Sequence, residues 1–228
     1  MYVRLNIIVE GQTEETFVNQ ILKPHLSSFS IGVSARVVTT KKKRGTKYTG
    51  GLSTYGKAKT DITLWTKQDR NPEVRFTTMF DLYGLPPDFP GYKSAAAKDD
   101  PYQRVEALED ALGNDISDWR FIPHIQLHEF EALILSDPKQ LDTQFENRDD
   151  GLARLVTMVS QFPSPEHIND NTNTAPSKRI IREIPEYQDS KVSAGPIVAE
   201  KIGLSTLRSK CSHFAGWLDK LESLREGD

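Results

Sequence analysis

Residues 5–9, LNIIV, form a short and almost wholly apolar run that breaks at Glu10–Gly11 and resumes as the helix-like TEETFV. A run this short, bounded by a turn and with little polar alternation, suits a strand buried on both faces. Such strands belong to parallel sheets covered by helices. The unit recurs. Residues 31–40 set valines against polar residues, VRFTTMFDLY (74–83) is closed by the turn-forming GLPPDFPG, and residues 121–127 alternate before passing straight into HEFEALILSDP. Helical spacing fills the gaps: Phe17, Ile21 and Leu22 after a cap at Thr13 and before a stop at Pro24; Ile62 and Trp65; then Val105, Leu108 and Leu112, ended by Gly113. Strand alternating with helix predicts an α/β fold with a mostly parallel central sheet, flanking helices and right-handed crossovers.

Beyond Pro138 the pattern changes. Residues 142–178 are polar and turn-rich, with NDNTNTAPSK the loosest piece, and the remainder reads as helix through SKRIIREI, GPIVAEKIG and a stripe of Trp217, Leu218, Leu221 and Leu224. The expected organisation is an α/β core over residues 1–138 and a helical C-terminal extension, 139–228, packed on it. With 228 residues, 37% hydrophobic and 27% charged, the chain can fill a core and is not of disordered composition. A single cysteine, Cys211, excludes an internal disulfide framework and fits a reducing compartment; with no bilayer-length apolar run and no basic-then-apolar leader, the expected location is cytoplasmic. Cys211 itself reads as inert packing.

Acids recur where the strands end. Glu10 follows the first, Asp81 lies in the third, and Glu129 and Glu131 follow the fourth, while Glu14 lies in the first turn of the helix after Glu10. Ligands of open parallel sheets collect outside the carboxyl ends of the strands. Carboxylates gathered there raise one another's pKa unless a divalent cation intervenes, and oxygen ligands without a His or Cys cluster favour Mg²⁺ or Mn²⁺ over zinc. Each acid also has a plainer reading. Glu14 and Glu131 suit helix first turns electrostatically, and Glu10 and Asp81 could simply be strand-end punctuation.

VEGQTEE is similar to the VEGxTE signature of Toprim-type domains, the metal-binding module of topoisomerases, primases and overcoming-lysogenization-defect nucleases. VEGQTEETFV, TTMFDLYGLPPDFPG, FIPHIQLHEFEALILSDP and PSKRIIREIPEY together resemble a small prokaryotic Toprim-like family of unknown function. Its members are often encoded beside ABC-type ATPases, in the manner of RloB-like and abortive-infection proteins. The resemblance implies a Toprim-like fold, Mg²⁺- or Mn²⁺-dependent nuclease activity, anti-phage defence and an ATPase partner. By position Glu10 matches the invariant Toprim glutamate, Glu14 its follower and Asp81 the first acid of the aspartate pair. Tyr83 stands where the second acid belongs. Glu129 or Glu131 would replace it, Glu129 being nearer the strand, and Glu10 would either ligate or move a proton.

The stretch 41–59 carries seven basic residues, including Lys42, Lys43, Arg44, Lys57 and Lys59, with Tyr48 and Tyr55 and no acid. A cationic loop with aromatics suits nucleic-acid backbones and base stacking, and equally suits a solvated loop. Lys178 and Arg179 follow Ser177 at a helix start, a candidate phosphate seat. GLSTYGKA fails as a phosphate loop because Ala58 replaces the hydroxyl and no apolar strand precedes it, and HEFEA lacks the second histidine of a zinc-protease helix. The expected function is phosphodiester hydrolysis of nucleic acid, DNA before RNA, with Glu10, Asp81 and Glu129 as catalytic ligands. The alternative is a non-catalytic subunit that docks on an ATPase and keeps a degenerate metal site.

Overall fold

The computed structural model of the protein describes residues 2–38, 52–168 and 173–225. Strand β1 (Val3–Val9) turns at Glu10–Gly11 into α1 (Gln12–Phe17), a π-helical turn (Val18–Leu22) and α2 (Lys23–Ser27), which follow without a break. Strand β2 (Ile31–Val37), α3 (Tyr55–Gln68) and β3 (Val74–Asp81) come next, then the single turn α4 (Tyr92–Ala95) and the long α5 (Pro101–Ile116). Two short strands, β4 (Phe121–Ile122) and β5 (Ile125–Gln126), lead into α6 (Glu131–Ile134). The chain closes with α7 (Asp149–Val159), α8 (Pro176–Glu183), α9 (Tyr187–Ile202), α10 (Leu204–Lys210) and α11 (Ser212–Glu222).

The sheet runs β2-β1-β3-β4, with β5 also on β3, and every pairing is parallel. The α/β architecture and helical C-terminal part are as the sequence pattern predicts. Two apolar layers cover the sheet. Val3, Leu5, Ile7 and Val9 of β1 pack with α1, α9 and α11, whereas Ile8, with Val74, Phe76 and Phe80 of β3, packs with α3 and α5. The C-terminal helices, together with α1 and α2, therefore supply one face of the core. Among the described residues, no helix is long and apolar enough to cross a membrane.

Local departures from the sequence reading have identifiable causes. The first helix begins at Gln12 with Gly11 as its N-cap rather than Thr13, because the Glu14 side chain reaches back to the Gly11 amide (3.1 Å). It then runs through Pro24, with a π-helical turn just ahead of the proline that cannot donate. Helix α5 passes Gly113 and ends at Ser117, which takes a left-handed φ of 52°. The polar region 142–178 contains α7, whose short stripe of Leu152 and Leu155 is buried. Strand four is split at Pro123, which has no N–H for the ladder. Thr78 Oγ1 fills the break, accepting from the His124 amide at 3.0 Å and donating to the His124 carbonyl at 2.7 Å.

Candidate active site and metal centre

From β1 the chain goes to β2 on one side and then to β3 on the other, so the switch of direction lies between the carboxyl ends of β1 and β3. That crevice is where open α/β sheets bind ligands. Glu10 and Asp81 stand at its two lips. They are joined directly, because the Asp81 amide donates to Glu10 Oε1 at 3.0 Å. Gly84, just past β3, makes room for the other oxygen: a Cβ there would lie 2.7 Å from Glu10 Oε2. Glu14, 7% exposed, is held from the helix side by its bond to Gly11.

The second pair of acids arrives from β5. His128 adopts a left-handed φ of 65°, uncommon for a residue with a side chain, and so swings the chain from β5 into α6. Its carbonyl accepts from the Tyr83 amide at 2.9 Å and its ring bonds the Glu166 carbonyl at 2.8 Å, which fixes this bend against the end of β3. Glu129 accepts from the Ser177 amide (2.5 Å) and hydroxyl (3.1 Å). Glu131, 4% exposed, accepts from Tyr187 Oη at 3.3 Å and has Lys191 Nζ 4.0 Å away.

These carboxyls form one electrostatic unit. Burial, and then the charge of Glu14, pushes Glu10 up to about 8. Burial also raises Glu14. Asp81 lies well above the ordinary carboxylate range, through burial and then through Glu14, Glu10, Glu131 and Glu129 in turn. Burial and then Glu129 bring Glu131 to about 7. All four other acids thus act on Asp81, which joins residues from three separate parts of the chain. Asp81 Oδ1 is itself buried, with no hydrogen-bond partner among the described residues. Burial and crowding here disfavour the ionised forms, so the acids hold protons unless a cation offsets their charge.

The family described as a domain of unknown function, DUF4276, matches residues 9–222. The chain belongs to this family. No curated protein and no solved structure matches it. The DUF4276 span opens one residue before Glu10 and extends to the last residue of α11, so it takes in all five acids and every C-terminal helix.

The basic residues fall differently across the DUF4276 domain. Lys42, Lys43 and Arg44 lie outside the described residues. Lys57 and Lys59 stand on α3 rather than in a loop. Lys57 bonds Ser53 (2.8 Å), and Lys59 pairs with Asp115 at 2.8 Å. The expected phosphate seat at the start of α8 is filled by the Glu129 carboxylate through Ser177. Lys178 is exposed beside it, and Arg179 bonds the Thr174 carbonyl (2.7 Å) and lies over Phe162. Sequence reasoning missed Ser177, Tyr187 and Lys191 as cleft residues. Ser177 and Tyr187 lie in PSKRIIREIPEY, a segment that reasoning singled out, but no local spacing marks Tyr187 or Lys191.

It also missed a second group. Glu109 of α5, His124 between β4 and β5, and His213 of α11 each place one ligand atom within 4.8 Å of the others, and this buried cluster could hold a metal ion. Among the described residues the cleft acids form no trio this close. Burial pushes His124 down to about 4 although Glu109 beside it works the other way, so the ring is neutral near pH 7. Burial opposes the charge on Glu109 too, but hydrogen bonds from both histidines hold that carboxyl well below its ordinary value.

Proposed function

We propose that this DUF4276 protein is a Mg²⁺- or Mn²⁺-dependent phosphodiester hydrolase of Toprim-like type, acting on nucleic acid and on DNA in preference to RNA. The observation that carries this reading is the convergence of Glu10, Glu14, Asp81, Glu129 and Glu131 at the β1/β3 switch point, with Asp81 feeling the charge of all four others. An all-oxygen donor set with a buried, unpartnered Asp81 oxygen fits a hard divalent cation. Glu10, Asp81 and Glu129 are the proposed ligands, with Glu14 and Glu131 supporting them. When bound, such an ion neutralises phosphate oxygens and lowers the pKa of water.

The residues of the chain do the rest. The Asp81 amide fixes Glu10, and Ser177 fixes Glu129, so two carboxylates are oriented before a substrate arrives. Without a cation, burial and Glu14 hold Glu10 at about 8, so proton transfer near neutral pH is its alternative role if it does not ligate the ion. Lys178 and the 41–59 stretch are the proposed phosphate contacts. Following the family resemblance, we place the activity in anti-phage defence with an ABC-type ATPase partner.

The test is cleavage of plasmid DNA and of RNA with Mg²⁺, Mn²⁺ or EDTA. Glu10→Gln and Asp81→Asn should each lose roughly a hundred-fold or more in rate. Unchanged activity in both variants rejects the site. Tyr83 favours a second reading: it stands where the Toprim pattern has an acid and packs its ring 6.0 Å from His128. If no condition, with or without the ATPase, gives cleavage, the docking subunit is the better description.

A further inference from the structure

We propose that Glu109, His124 and His213 form a binding site for a transition metal of zinc class, separate from the acidic cleft and independent of its function. Tetrahedral metal–ligand bonds of ~2.0–2.1 Å put neighbouring ligand atoms about 3.3 Å apart. Glu109 Oε1 lies 3.0 Å from His213 Nε2 and 3.5 Å from His124 Nδ1, so two edges of such a tetrahedron are already in place.

Each ligand is held from behind. The Ile125 amide donates to Glu109 Oε1 at 2.8 Å. The His124 backbone is clamped by Thr78 Oγ1, and its ring stacks on Trp217 with centroids 4.2 Å apart and planes 7° from parallel. Trp217 is in turn anchored by donating to Thr77 Oγ1 at 2.9 Å. His213 starts α11, whose first amides, from His213 and Phe214, donate to the fully buried Glu166 at 3.0 Å each. These contacts fix the backbone positions of both histidines and the ring plane of His124.

The far nitrogens of both rings, His124 Nε2 and His213 Nδ1, are buried with no partner among the described residues. In the metal-bound form these nitrogens carry the ring protons, and a water molecule must be their acceptor. Metal binding moves each ring proton to its far nitrogen and gives the near lone pair to the ion, with no net proton change for two neutral rings. Three protein ligands leave a fourth position for water. Glu109, His124 and His213 all line an open cleft of about 270 Å³, bordered also by Tyr102, Ser212 and Lys220. One imidazole pair with one carboxylate selects zinc, cobalt or nickel over magnesium. The ion would tie α5, the β4–β5 junction and α11 together, three elements distant in sequence.

The test uses the full chain, stripped with chelator and titrated with Co²⁺ and then Zn²⁺. The expected result is one Co²⁺ per chain with the intense visible absorption of a four- or five-coordinate ion, any Co²⁺ taken up by the acidic cleft adding only the weak absorption of an octahedral ion. Zn²⁺ should displace it and raise Tm by roughly 5 °C at saturation. Glu109→Gln and His213→Gln should weaken binding at least ~100-fold and remove the absorption, while Asp81→Asn leaves both in place. Failure of the wild-type chain to take up either metal overturns the proposal. So does a weak, octahedral-type spectrum that survives His213→Gln and vanishes in Asp81→Asn. Should either variant lose its native circular dichroism, the ring-nitrogen NMR shifts of His124 and His213 in the wild type decide: displaced by Zn²⁺ they support the site, unmoved they exclude it.

Discussion

The acidic cleft and the Glu109–His124–His213 pocket lie on one scaffold and handle buried charge in opposite ways. In the cleft, like charges are crowded, and the carboxyls of Glu10, Asp81 and Glu131 are raised. In the pocket a lone carboxylate is surrounded by donors and held low. The charge in the pocket is therefore offset by the protein itself, although His124 Nε2 and His213 Nδ1 have no partner among the described residues, whereas the cleft acids are offset only by protons or a cation. Crowded buried carboxyls suit a cation held mainly by charge, whereas one carboxylate between two imidazoles suits a cation held by the chemistry of its ligands.

The comparison breaks most directly at Trp217. Trp217→Ala removes the His124 stack, the bond to Thr77 and a 3%-exposed side chain, and is expected to cost about 3–5 kcal/mol in denaturant unfolding. Asp81→Asn deletes a charge that its neighbours oppose, so it should leave the metal-free chain as stable or more stable. If the two variants destabilise alike, the distinction between the regions fails.

The pH dependence of stability comes next in size. A carboxyl whose folded pKa is raised binds more protons folded than unfolded between the two values. For Glu10 that window runs from 4.5 to about 8, and for Glu131 from 4.5 to about 7. Across it the contribution of the cleft to stability is greatest at the acid end and falls as pH rises. The Tm of the metal-free chain should decline accordingly relative to Glu10→Gln. Saturating Mn²⁺ should raise Tm by several degrees at pH 8 and by little at pH 5, since ligands must be deprotonated to bind. An Mn²⁺ effect independent of pH would contradict the assignment.

The same contrast explains what the sequence made legible. Strand ends carry their acids at fixed places in a βα repeat, so Glu10, Asp81 and the 129–131 pair can be read directly from LNIIVEG, MFDLY and LHEFE. The sheet follows from the same repeats, except where Pro123 breaks the ladder. The pocket is built otherwise. Glu109, His124 and His213 come from a helix face, an interrupted strand and the start of the last helix, and no spacing links them. The clamp on Glu129 was hidden for a related reason: Ser177 reads as a helix start open to phosphate, and only packing of α8 against α6 makes the carboxylate its partner. Helix α7 is lost inside a region that reads as polar overall, although Leu152, Leu155, Met158 and Val159 keep helical spacing and pack on the core.

A smaller effect, steric in origin, is expected at Gly84. Gly84→Ala places a methyl group 2.7 Å from Glu10 Oε2, so the carboxylate must turn away from the crevice. Activity should drop about ten-fold, from misplacement rather than loss of the group, with a stability change of about 1 kcal/mol. In a Glu10→Gln background Gly84→Ala should cost no further activity, and an additional loss there would show that the clash with the carboxylate is not the cause.

Lys191 should give the smallest change and the most informative one. Its ammonium, 4.0 Å from Glu131 and about half exposed, favours the ionised forms of Glu131 and Glu14. Solvent screens a cation in that position, so Lys191→Gln should cost well under 1 kcal/mol. Removing it leaves the acids more crowded, and their titration should move to higher pH. Mn²⁺ binding, followed by the Mn²⁺-dependent rise in Tm, should weaken at pH 6, where more of the acids are then protonated. At pH 8 it should hold or strengthen, because the lysine no longer competes for Glu131. A crossing of the two affinity–pH curves belongs to a cation site shared with Lys191, whereas a uniform loss of affinity at every pH would make the lysine a structural strut and not a competitor.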